Sequence, residues 1–119
     1  MSSKPEFAFV LEYVTDIEAA RRFYIEVMGL EVERTSPVFV QFKHLAIASD
    51  ESLSGNNEPE VYWQVEDAQA AFKSLSQKGE VIMPLKQMPF GKVFSIKDPA
   101  GQPLYLIEFA ADRPSQPAE

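Results

Sequence analysis

Residues 14–29, VTDIEAARRFYIEVMG, and residues 65–79, VEDAQAAFKSLSQKG, decide the fold, because they are one pattern written twice. Each follows an extended apolar run, Phe7 to Val14 in the first case and VYWQV (61–65) in the second. Asp16 and Asp67 each stand where a helix would begin, with a carboxylate able to accept free N–H groups of the first turn. Each segment then reaches a glycine, Gly29 or Gly79, suited to a left-handed helix terminus. Ile17, Ala20, Tyr24 and Val27 recur at helical spacing, as do Ala68, Ala71, Phe72 and Leu75, so both segments are predicted to dock an apolar face. Val14, Asp16, Ala19 and Ala20 match Val65, Asp67, Ala70 and Ala71 at an offset of 51, whereas the glycines are offset by 50, a deletion of one residue.

Short strand-like runs follow each helix: LEVER, VFVQF and HLAIA in the first half, then EVIM, KVFSI and PLYLIEF in the second. DPAGQP (98–103) reads as a turn. The order is β-α-β-β-β, linker, β-α-β-β-β, with module one at about 6–48, the linker at about 49–59, module two at about 60–109 and a frayed tail at 110–119. The predicted class is α+β in a single domain. A four-stranded sheet with one helix leaves a face open, so two modules should pair, within one chain or across a homodimer.

Composition narrows the function classes. The 119 residues are 45% hydrophobic, enough for a real core, and no run approaches the length of a membrane helix. The start, MSSKPEFAF, does not read as a signal peptide, and no cysteine is present, which suits a cytoplasmic protein and removes thiol chemistry. A net charge of -7 with no basic stripe argues against nucleic acid as a partner and mildly favours cationic small molecules.

The segments VTDIEAARRFYIEVMGLEV (14–32), VYWQVEDAQAAFKSLSQKGEV (61–81) and PFGKVFSIKDPAGQPLYLIEF (89–109) resemble the glyoxalase/bleomycin-resistance/dioxygenase (vicinal oxygen chelate) superfamily. The likeness lies in an opening "D…FY…LG" signature and a closing "FG…F…DPDG" signature, and it spans roughly residues 7–109. It implies paired βαβββ modules in a curled mixed sheet around a cavity, helices outside, usually in a homodimer. The family joins metal-dependent isomerases, epimerases and dioxygenases to metal-free antibiotic-binding proteins, so the fold alone does not assign an activity.

In metal-dependent members four equivalent strand positions carry histidine or glutamate. The resemblance places those positions at Phe9, about Ala46, Glu60 and Tyr105 here. Phenylalanine and alanine offer no donor, neutral tyrosine is a poor ligand, and one carboxylate does not hold a divalent ion. No metal and no cofactor is therefore expected, and no phosphate loop or hydrolase motif is present. The sole histidine, His44, shares strand parity with Ala46 and reads either as a site residue or as a strand-edge histidine.

Strand alternation then sorts the remaining residues. The parity of Phe9, Glu60 and Tyr105 carries Phe7, Leu11, Tyr13, Tyr62, Gln64, Pro103 and Ile107. The opposite parity is apolar, as a helix-covered face should be, except for Glu12 and Glu108; Arg21 or Arg22 is a candidate partner for Glu12. Phe7, Phe9, Tyr13, His44, Glu60, Tyr62, Gln64 and Tyr105 form the candidate ligand-binding set, with Phe39, Met88, Phe90 and Phe94 at its mouth. Such a lining suits a flat, partly cationic compound. A metal-independent binding protein of the bleomycin-resistance type is one reading; an enzyme with a nonstandard site on Glu60, His44 or Tyr105, and a filled core serving as an interaction module, are the others.

Overall fold

The computed structural model describes residues 4–50, 55–110, 116 and 117. The chain divides into two compact units, Met1–Ala8 with Glu60–Pro114 and Phe9–Pro59 with Ser115–Glu119. The first-module unit takes most of β1 (Glu6–Tyr13), then α1 (Ile17–Arg22), β2 (Arg34–Ser36), β3 (Phe39–Gln41) and β4 (Leu45–Ala48). The second-module unit contains β5 (Glu60–Gln64), α2 (Ala68–Leu75), β6 (Val81–Met88), β7 (Gly91–Lys97) and β8 (Pro103–Phe109). The predicted linker falls partly outside the described residues, at 51–54.

Both units have one topology. β1 pairs with β4 in parallel, and β4, β3 and β2 follow antiparallel. β5 pairs with β8 in parallel, and β8, β7 and β6 follow antiparallel. The helix caps repeat as well: Asp16 Oδ1 accepts the Ala19 N–H at 3.0 Å, and Asp67 Oδ1 accepts that of Ala70 at 3.1 Å. The duplication visible in the sequence is thus a duplication of hydrogen bonding, and the α+β class stands.

The units differ where the sequence offset changes from 51 to 50. After Arg22 the first helix widens into a π-type turn over Phe23–Val27, closed by the Met28 N–H on the Phe23 carbonyl at 3.2 Å. A π turn takes up one more residue than an α turn, which absorbs the extra residue of module one. The widening corrects the sequence-based face. Tyr24 and Ile25 pack toward Val40, Phe42 and Ile47, while Val27 is 70% exposed beside exposed Phe23 and Met28. Gly29 is left-handed as expected, with φ 78°, but Gly79 is not; its N–H closes on the Leu75 carbonyl at 2.8 Å.

Three further expectations are revised. Residues 30–33 are irregular, and the strand predicted at LEVER begins only at Arg34, set by a two-residue turn at Pro37 and Val38. β6 is longer than EVIM and carries two register shifts around Pro84, which has no N–H to give a ladder. Within the tail, 111–115, 118 and 119 lie outside the described residues, and Gln116 and Pro117 pair as a short β9 with Thr35 and Arg34.

Both unexplained carboxylates on the helix-covered faces have partners. Glu108 Oε1 accepts the Ala68 N–H at 2.9 Å, satisfying the first turn of α2. Glu12 Oε1 accepts the Tyr24 hydroxyl at 2.7 Å, so its partner is Tyr24 rather than Arg21 or Arg22. That hydrogen bond, burial and the charge of Glu12 push the Tyr24 phenol up from 10.0 to about 12. A raised folded-state value means that the folded chain holds the proton more tightly. This contribution is intact below pH 10 and is lost as pH rises toward 12. Urea midpoints measured across that window should fall more steeply for the wild type than for Tyr24→Phe; equal slopes would overturn the coupling.

Candidate functional site

The two faces of the second-module sheet follow from alternation and register. Trp63, Val65, Phe94, Ile96, Leu104 and Leu106 pack with Ala68, Ala71, Phe72 and Leu75 of α2. On the opposite face, register aligns Tyr62 with Tyr105 and Tyr105 with Ser95 in one row across β5, β8 and β7. The next row is Gln64, Ile107 and Val93. Phe94, expected at a site mouth, is instead fully buried on the helix side with its ring 5.2 Å from Phe72.

The row forms a compact polar-aromatic cluster. The rings of Tyr62 and Tyr105 stack at 5.1 Å and 19°, and the Tyr62 hydroxyl donates to Glu60 Oε1 at 3.0 Å. Glu60, Tyr62, Tyr105 and Ser95 are 3%, 2%, 2% and 1% exposed. A carboxyl withdrawn from water this far is costly, so its retention argues for a task other than stability. Ser95 Oγ is buried without a protein hydrogen-bond partner.

The equivalent face of the first-module unit carries Leu11, Ala46 and Gln41 in one row, with the Phe9 and Phe39 rings 6.1 Å apart. Gln41 Oε1 is also buried without a partner. Gln41 lies directly across from Ala46, as Ser95 lies across from Tyr105, so the two modules place a buried polar group at corresponding positions.

Of the sequence-derived set, the structure brings together Glu60, Tyr62 and Tyr105. Gln64 shares β5 with Glu60 and Tyr62 but is exposed. Phe7 is 41% exposed, and its ring meets Trp63, a residue of the helix-covered face, edge-on at 5.5 Å. Phe9, Tyr13 and His44 belong to the first-module unit: Phe9 is buried, Tyr13 half-buried, and His44 exposed with its carbonyl accepting the Val10 N–H at 3.1 Å. Ser95 and Gln41 were missed, although each is a polar residue inside an apolar strand at the site parity, which was the available signal.

Of the positions that the family resemblance marks for metal ligands, Phe9 and Ala46 in the first-module unit are buried and have no donor, and Glu60 and Tyr105 in the second are buried and offer one carboxyl and one phenol. That set does not fit a divalent ion. Among the described residues no group of three or more His, Cys, Asp or Glu side chains is placed to hold one. Also among these residues, no helix is long and apolar enough to cross a membrane.

Comparison with solved structures finds the same fold. A structure described as an NAD-dependent benzaldehyde dehydrogenase from Legionella pneumophila aligns with a TM-score of 0.72 and 22% identity, over 86% of this chain and 98% of that one. A glyoxalase/bleomycin resistance protein/dioxygenase superfamily member from Vibrio splendidus 12B01 aligns at 0.64 and 16%, over 88% and 99%. Homoprotocatechuate 2,3-dioxygenase from Brevibacterium fuscum aligns at 0.58 and 18%, over 92% of this chain but 39% of the larger enzyme. At such identities the likeness is one of fold. No curated protein matches the sequence. The family model for the glyoxalase/bleomycin resistance protein/dioxygenase superfamily matches residues 7–109, and the chain belongs to that superfamily.

Proposed function

We propose that this chain is a metal-independent binding protein that sequesters a small aromatic or cationic compound. The observation that carries the reading is the Glu60 carboxyl, 3% exposed and hydrogen-bonded to Tyr62, whose ring stacks on Tyr105. Aromatic faces attract a flat cation and a carboxylate completes its charge, whereas a divalent ion would need donors that Phe9 and Ala46 do not have. Because the two rings are closed on each other, binding requires them to part or turn. Their stacking holds the site shut against water until a ring of the ligand replaces one of their own faces. Antibiotic sequestration in a cytoplasmic homodimer is the family-level form of this reading.

A second reading, an enzyme of the same fold with a nonstandard site, draws on the same Glu60–Tyr62 hydrogen bond, which joins a proton donor to an acidic acceptor. The two separate by turnover.

The test is a thermal-shift panel with divalent metals in one arm and benzamidinium, a flat aromatic cation, in the other. Selective binding to the folded state raises the melting temperature. Benzamidinium should stabilise the wild type, metals and chelator should not, and Tyr105→Ala should weaken binding by about 1–3 kcal/mol. Stabilisation by one metal, reversed by chelator, would overturn the reading.

A further inference from the structure

Resting on that reading, we infer that Ser95 is a ligand-contacting residue whose hydroxyl accepts an N–H from the bound compound. The site therefore selects protonated aromatic amines or amidines over quaternary aromatic cations.

Three observations converge on Ser95. It is 1% exposed, and its Oγ has no protein partner. Most buried hydroxyls do have one, and leaving one unmade costs the fold free energy. Its direction is set by register: Ser95 faces Tyr105 across the ladder, and Tyr105 faces Tyr62, so the hydroxyl stands on the same side as the stacked rings and Glu60. The other unit repeats the arrangement, with Gln41 Oε1 buried and unpartnered across from Ala46. A polar atom kept without a protein partner at corresponding positions of two diverged modules is not explained by packing, because an apolar side chain would fill either place at lower cost.

The chemistry of the ligand follows from the groups on the face that Ser95 shares. Glu60 accepts from the Tyr62 hydroxyl, so an acidic acceptor stands on that face beside the rings. A serine hydroxyl both donates and accepts, and beside an acidic, aromatic lining its open role is to accept from a cation. A ligand with N–H groups on its cationic end meets acceptors at Glu60 and Ser95. A quaternary cation meets the rings and the charge but gives Ser95 nothing.

The experiment compares Ser95→Ala with wild type in the full chain, titrating benzamidinium and N-methylpyridinium and following the melting temperature and the emission of the sole tryptophan, Trp63. Without ligand, Ser95→Ala should melt at the wild-type temperature or above, since an unpartnered buried hydroxyl is removed. Its affinity for benzamidinium should fall roughly three- to tenfold, with N-methylpyridinium changed by less than about twofold. A lower melting temperature without ligand would show a structural hydroxyl and overturn the inference. So would equal affinities of variant and wild type for benzamidinium; if Glu60→Gln then still loses binding, the broader reading survives. Failure of benzamidinium to bind the wild type would overturn both.

Discussion

Replacing Gly91 by alanine is expected to remove about 3 kcal/mol or more of stability, a large part of what a domain of this size has. Gly91 opens β7 with φ 147°, a region that L side chains rarely adopt. It is buried against β8, where a Cβ would overlap the carbonyl oxygen of Glu108 and stand 3.0 Å from the amide nitrogen of Ala110. Both obstacles are backbone, so no side chain can swing away. Relief means moving Glu108, whose carboxylate satisfies the Ala68 N–H at the start of α2. The damage should therefore reach the helix as well as the β7–β8 ladder. Gly101→Ala is the control: φ is positive there too, at 84°, but a Cβ meets nothing, and the cost should be only about 1–2 kcal/mol of backbone strain. Urea unfolding of both variants measures the difference. Equal midpoints would show that the close approach at Gly91 relaxes freely.

Much of this architecture is local chemistry, and that part was legible. Capping aspartates, helical spacing and alternating strands are properties of neighbouring residues, so the repeat of two modules could be read directly. The π turn was legible only as a count, one residue more between Asp16 and Gly29 than between Asp67 and Gly79. What that residue does to Val27 and Phe23 depends on where the helix widens. Leu30 and Val32 pack against the core as irregular chain, so their apolar spacing reads as a strand although β2 begins only at Arg34.

The site was half legible for a similar reason. Alternation put Glu60, Tyr62 and Tyr105 on one face, and register confirms it. Alternation does not say which ring a neighbouring strand presents, so Phe7 was grouped with the tyrosines when it meets Trp63. Nor does it say whether a buried polar atom finds a partner, so alternation alone does not single out Ser95. Partners of Glu12 and Glu108 were hidden likewise, because both come from helices whose docking is tertiary.

The last expectation separates the two faces of one strand. Phe94→Ala should cost about 3–5 kcal/mol, the range for deleting a fully buried ring and leaving a cavity. Phe94 is 0% exposed, meets Phe72 edge-on, and lies in the cluster that joins β7 and β8 to α2. Its neighbour Ser95 points the other way, so the loss should fall on stability and not on recognition. Titrations of benzamidinium at temperatures where Phe94→Ala remains folded should give an affinity within about twofold of wild type, since successive side chains of a strand face opposite sides of the sheet. A folded Phe94→Ala protein that no longer binds would return Phe94 to the site mouth, where the sequence alone had placed it, and would mean that the helix-covered core and the ligand face are one mechanical element.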